Sequence, residues 1–71
     1  MQTRMSIERK KRHWTLQHVG EHVGVTRAAI SDIERMRRKP SYGLLVKLET
    51  LFQLPHQVLL EFVNEAEQSV S

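Results

Sequence analysis

The stretch Thr15–Arg35, TLQHVGEHVGVTRAAISDIER, decides the fold. It holds two short runs of helical periodicity that meet at Gly24-Val25-Thr26. On the first run Val19 and Val23 are four residues apart, and on the second Ala29, Ile30 and Ile33 recur at three or four, so each helix carries one apolar stripe and the stripes can face each other. Gly24 can take the left-handed conformation that ends the first helix, and the Thr26 side chain can cap the first free N–H groups of the second. The spacing encodes a sharp corner, that of a helix-turn-helix. Gly20 falls on the inner side, where any larger side chain would hold the helices apart, and Val25 can plug the angle between them.

Outward from this segment the chain reads as five helices. A charged, helix-favouring stretch from about Thr3 to Arg12 presents Met5 and Arg9 inward and ends near His13. Trp14 is expected to pack as a wedge against the first and fifth helices, with base stacking as its other possible role. Thr15 caps the second helix, which runs to about Val23, and Thr26 caps the third, which runs to about Arg35. Arg37-Arg38-Lys39 form the next loop. Pro40 and Ser41 then open a fourth helix over Tyr42 to Phe52, with Leu45, Leu48 and Phe52 inward and Leu44 and Leu51 off that stripe. Pro55 suits the first turn of a fifth helix reaching Leu59, Leu60 and Val63 before a polar tail.

Seventy-one residues accommodate one small domain, expected over 1–66, with residues 67–71 fraying. The absence of cysteine excludes disulfides and thiolate metal sites and is compatible with a reducing cytoplasm. With no apolar signal core and no run of membrane-spanning length, secretion and membrane insertion are not expected. Charge is segregated. Residues 1–39 carry ten Lys/Arg against Glu8, Glu21, Asp32 and Glu34, a balance of +6, whereas residues 40–71 carry Lys47 against four Glu, a balance of −3. The basic half is the half with the helix-turn-helix, and it attracts polyanions more strongly than the overall +3 suggests.

From Thr15 the sequence reads T-x-x-x-V-G-x-x-V-G-V-T-R-x-x-I-S-x-I-E-R, followed by a basic stretch and Pro40-Ser41, and this resembles the phage-repressor/Cro-type helix-turn-helix family, also called XRE-like. The resemblance spans roughly Met5 to Phe62, with Thr15, Gly24, Val25, Arg27, Ile30, Ser31, Ile33, Glu34, Arg35, Pro40 and Ser41 at family positions. It implies an all-α, five-helix, lambda-repressor-like bundle that binds double-stranded DNA, from a bacterial or phage source, cytoplasmic and nucleoid-associated. It further implies that Arg9 and Glu34 form an ion pair linking the first helix to the third. Three positions depart from the family. Leu16 stands where glutamine often follows the cap of the second helix, with Gln17 next; His13 and Met36 stand where glycine often ends the first and third helices. Met36 therefore either makes a different helix ending that shifts the following loop, or tolerates left-handed geometry at about 1 kcal/mol.

With the third helix in a major groove, its outward residues Arg27, Ala28, Ser31 and Asp32 reach base edges. Arg27 suits guanine O6 and N7, or alternatively holds a phosphate; Ala28 suits a thymine methyl; Ser31 bonds with little selectivity; both small residues also serve as clearance. Asp32 either accepts from cytosine N4 or orients Arg35 one turn later. Phosphate contacts are expected from Thr15, Gln17, Thr26, Arg35, Arg37 and Arg38, with free backbone N–H groups at the starts of the second and fourth helices.

Other chemistries find less support. His18 and His22 have the spacing of two metal ligands on one helical face, yet no third ligand is evident and the glutamate of a metalloprotease motif is not between them, so no metal or cofactor is expected. No Gly-rich phosphate loop, cysteine nucleophile or carboxylate pair points to an enzyme. The rival reading is an antitoxin or other protein-interaction regulator on the same fold, using Leu44, Leu51, Val58 and Phe62 as an apolar patch. A homodimer would use the same feature. Since a two-fold operator needs matched half-sites, the expectation is a homodimer through Leu51, Val58 and Phe62, on the fifth helix and the region before it, acting as a transcriptional repressor.

Overall fold

The computed structural model describes residues 2–63. In chain order these form β1 (Gln2–Thr3), α1 (Arg4–Lys11), α2 (Leu16–Val23), α3 (Arg27–Glu34), α4 (Tyr42–Phe52), α5 (His56–Leu59) and β2 (Phe62–Val63). The domain boundary expected at 66 and the tail over 67–71 lie outside the described residues. Met5 of α1, Val19 and Val23 of α2, Ile30 and Ile33 of α3, Leu48 and Phe52 of α4 and Leu59 of α5 form one buried cluster. Every helix thus contributes to a single core. Among the described residues no helix is long and apolar enough to cross a membrane.

The ends of the chain depart from the all-helical expectation. Thr3 and Val63, expected in the first and fifth helices, lie instead in a short antiparallel pair in which Gln2 faces Val63 and Thr3 faces Phe62. The Arg4 N–H extends the pairing by donating to the Glu61 carbonyl at 2.9 Å. Helix α5 stops after four residues, and the aromatic and β-branched pair Phe62-Val63 favours the extended backbone that follows. Thr3 is fully buried, and its hydroxyl donates to the Glu34 carbonyl at 2.9 Å rather than capping α1. An end-of-helix carbonyl on α3 is satisfied in this way.

Helix α4 turns a broader face inward than the expected stripe. Leu44 and Leu51 pack against the core beside Leu48 and Phe52, while Leu45 is half-buried and lines a groove with Met36, His56 and Leu60. Trp14 also differs from expectation, because it packs on Phe52 of α4 and His18 of α2, at ring separations of 5.4 and 5.3 Å, rather than between α1 and α5. The Arg12 guanidinium lies 5.5 Å from the Trp14 ring centre and 5.4 Å from that of Phe52, and it donates to the Phe52 carbonyl at 3.2 Å. One cation thereby joins the end of α1 to the end of α4.

Candidate nucleic-acid interface

The α2–α3 corner is built from hydrogen bonds that start with two threonines. Thr15 Oγ1 accepts from the His18 N–H at 3.0 Å and Thr26 Oγ1 accepts from the Ala29 N–H at 3.2 Å, so both helices begin on side-chain caps. Gly24 sits at φ 80° and ends α2, and the N–H groups of Gly24 and Val25 both donate to the Gly20 carbonyl, at 2.8 and 2.9 Å. A Cβ on Gly20 would lie 2.5 Å from the Val25 carbonyl oxygen. Glycine there is what lets the turn close onto α2.

With the corner set, α3 has two unlike faces. Ala29, Ile30, Ile33 and Glu34 are buried, whereas Arg27 and Ala28 are exposed and Ser31 and Asp32 are half-buried at the rim. Arg27 has no hydrogen-bond or ionic partner among the described residues, so its guanidinium is free to meet a ligand. Asp32 makes no ion pair with Arg35. The reading in which this carboxylate orients that arginine is therefore not realised in the free protein.

The back of α3 is tied to α1. Arg9 donates from Nε to Glu34 Oε2 at 2.6 Å and from Nη2 to Oε1 at 3.3 Å, and its Nη1 donates to the Trp14 carbonyl at 2.9 Å. The two side chains are only 12 and 7% exposed, which makes this a structural clamp on the helix rather than a ligand contact.

At the other end of α3, Met36 adopts the left-handed conformation at φ 58°, and His13 does the same at φ 59° after α1. Both endings are Schellman motifs. After α3 the Met36 N–H donates to the Ile33 carbonyl at 3.0 Å and the Arg37 N–H to the Asp32 carbonyl at 2.8 Å; after α1 the His13 and Trp14 N–H groups reach Lys10 and Arg9 at 3.0 and 3.1 Å. The glycine-type turn is thus kept without glycine, and the Arg37-Arg38-Lys39 loop is not displaced by a different helix ending. Arg35, Arg37 and Arg38 are exposed, and none has an ionic partner among the described residues. Arg38 lines a groove of about 500 Å³ between this loop and the turn, with Thr26 and Ser41 on the same rim.

A helix-turn-helix family model matches residues 6–59, from within α1 to the end of α5. The chain belongs to the helix-turn-helix family. Its structure is similar to the crystal structure of the P22 c2 repressor protein in complex with synthetic operator 9T in the presence of Tl⁺, with a TM-score of 0.75, 33% sequence identity, and coverage of 82% of this chain and 88% of that one. No match is found among curated proteins. The family and fold are those of DNA-binding regulators.

Within this helix-turn-helix domain, Thr15, Gln17 and Thr26 are all exposed near the two helix starts. Gln17 Nε2 donates to Glu21 Oε1 at 3.0 Å, so this amide is engaged by a carboxylate in the free protein. Of the apolar patch expected from sequence, Leu44 and Leu51 are taken up by core packing, Val58 is half-buried, and Phe62 on β2 is 50% exposed. Three supporting contacts escaped the sequence reading: the Thr3–Glu34 bond, the Arg12 bridge and the Glu49–His56 pair. In the last, Glu49 Oε2 accepts from the His56 N–H at 2.7 Å and lies 2.8 Å from His56 Nδ1. The seven-residue spacing across Pro55 was the available signal for it, since a carboxylate there can cap the helix that follows.

Proposed function

We propose that the protein is a sequence-specific DNA-binding repressor that binds a palindromic operator as a homodimer. The observation that carries this is the outward face of α3, free and cationic at Arg27, held on the same fold as a repressor solved on operator DNA. In the major groove Arg27 reads guanine O6 and N7, Ala28 meets a thymine methyl, and Ser31 and Asp32 contact the neighbouring base edges. The absence of a contact between Asp32 and Arg35 favours the role of Asp32 as an acceptor for cytosine N4.

Around this helix, Thr15, Gln17, Thr26, Arg35, Arg37 and Arg38 hold phosphates and set the register. The two threonines accept backbone bonds through an oxygen lone pair, which leaves each hydroxyl proton available to a phosphate oxygen. Phe62 and Val58 supply most of the apolar surface for a second copy, and Leu51 contributes the part of its side chain not spent in the core. The reading assigns no catalysis and places the protein with the DNA it controls, in the cytoplasm at the nucleoid.

Selection of random duplex DNA by the purified protein, followed by titration of the enriched sequence at several salt concentrations, tests the proposal. The expected result is an enriched palindrome that binds two protomers, with affinity falling as salt rises. Salt-dependent binding without enrichment would reject sequence-specific repression. No binding at low salt would instead favour the antitoxin-like reading, in which the exposed Phe62 serves another protein.

A further inference from the structure

We propose that His18 and His22 form a two-ligand site for a divalent late first-row cation, Cu²⁺ or Ni²⁺, on the face of α2 that looks toward α4. The spacing of this pair suggests ligation but offers no third protein ligand; the structure adds three observations. First, the two imidazole rings adjoin, with centres 4.4 Å apart and planes tilted by 56°. A metal–nitrogen bond of about 2.0–2.1 Å places each ring centre about 3.2 Å from the ion, so two ligands at about 90° have ring centres about 4.5 Å apart and two at the tetrahedral angle about 5.2 Å. The observed separation is that required of two rings at the cis positions of a tetragonal ion, each turning one nitrogen to it on binding.

Second, neither ring has a hydrogen-bond or ionic partner among the described residues, so the nitrogens are not committed elsewhere. His13 adjoins no other histidine ring, and the His56 Nδ1 is engaged by Glu49, which leaves this pair as the histidine chelate among the described residues. Third, the site is open. His22 is exposed and lines a shallow groove with Val46, Lys47 and Thr50, so water completes the coordination sphere. Val19 and Val23, which face α3, are not involved, and ion binding leaves the outward face of α3 unoccupied.

Trp14, the only tryptophan, lies 5.3 Å from His18 and makes the site observable. Cu²⁺ titrated into the full chain at mildly alkaline pH should quench Trp14 fluorescence saturably at one equivalent. His18→Gln and His22→Gln should each weaken that binding at least tenfold, while circular dichroism shows both variants folded. Substoichiometric Ni²⁺ should broaden the imidazole proton resonances of His18 and His22 before those of His13 and His56. Equal Cu²⁺ affinity in the variants, quenching that does not saturate below about millimolar ion, or broadening that begins at His13, His56 or the terminal amine would overturn the proposal. Operator binding is not part of this readout, so the test is independent of the proposed regulatory function.

Discussion

Gly20→Ala is the most direct test of how the corner is held. The added methyl would sit 2.5 Å from the Val25 carbonyl oxygen, 3.3 Å from the Thr26 carbonyl carbon and 3.4 Å from the Arg27 nitrogen, all backbone atoms. No side chain can swing aside to make room. Relief to an ordinary contact requires the turn to move by nearly 1 Å, which stretches the Val25 N–H bond to the Gly20 carbonyl, now 2.9 Å. Overpacking of this kind costs about 1–3 kcal/mol and a weakened backbone bond about 1 kcal/mol, against a gain of about 1 kcal/mol from replacing glycine within a helix. The net loss is about 2 kcal/mol, which in a domain of this size lowers Tm by about 8–16 °C. Thermal unfolding followed by circular dichroism measures it. Gly24→Ala is the control, because no atom lies near its added Cβ and only the φ of 80° opposes it, at about 1–2 kcal/mol. The steric account is refuted if Gly20→Ala melts at or above the unmutated protein.

Four further outcomes are expected. Met36→Gly removes left-handed strain from an exposed side chain and should stabilise the fold by about 0.5–1 kcal/mol after the greater freedom of the unfolded chain is counted, as read by urea denaturation. Glu34→Gln strands the Arg9 guanidinium and should destabilise by about 3–5 kcal/mol, while replacing both residues with Met should recover most of the loss in the same assay. The bonds from the His56 N–H and ring hold the Glu49 carboxyl below its ordinary value of 4.5, so its contribution is present above that pH and disappears as pH falls through the lowered value; Glu49→Gln should flatten the stability profile measured below about pH 5. In DNA titrations Arg27→Ala should cost about 1–3 kcal/mol on the selected operator and relax preference at one base pair, whereas Arg37→Ala should weaken all sequences alike and flatten the salt slope.

The parts of this molecule that follow local rules were legible in the sequence. Thr15, Thr26 and Ser41 each cap the helix that their position announced, and Val19, Val23, Ile30 and Ile33 occupy the core that their spacing implied. Periodicity reports such features because neighbouring positions on one helix are enough to define them. It fails where the deciding contact is long-range. Thr3 reads as the start of the first helix until α3 brings the Glu34 carbonyl beside it, and Phe62-Val63 reads as a helix end until Gln2 and Thr3 lie alongside. Met36 and His13 show a third case, in which propensity disfavours the left-handed turn but paired hydrogen bonds at each ending, together with the packing of the flanking helices, hold it. The same division separates the two sides of α3. Its buried side is legible because burial selects a residue class, and its outward side is legible only as a set of free groups, because under the proposed function the selection there is made by a DNA sequence outside the chain. Arg27 is thus legible as an exposed guanidinium without a partner among the described residues, while the base proposed for it is set by the operator.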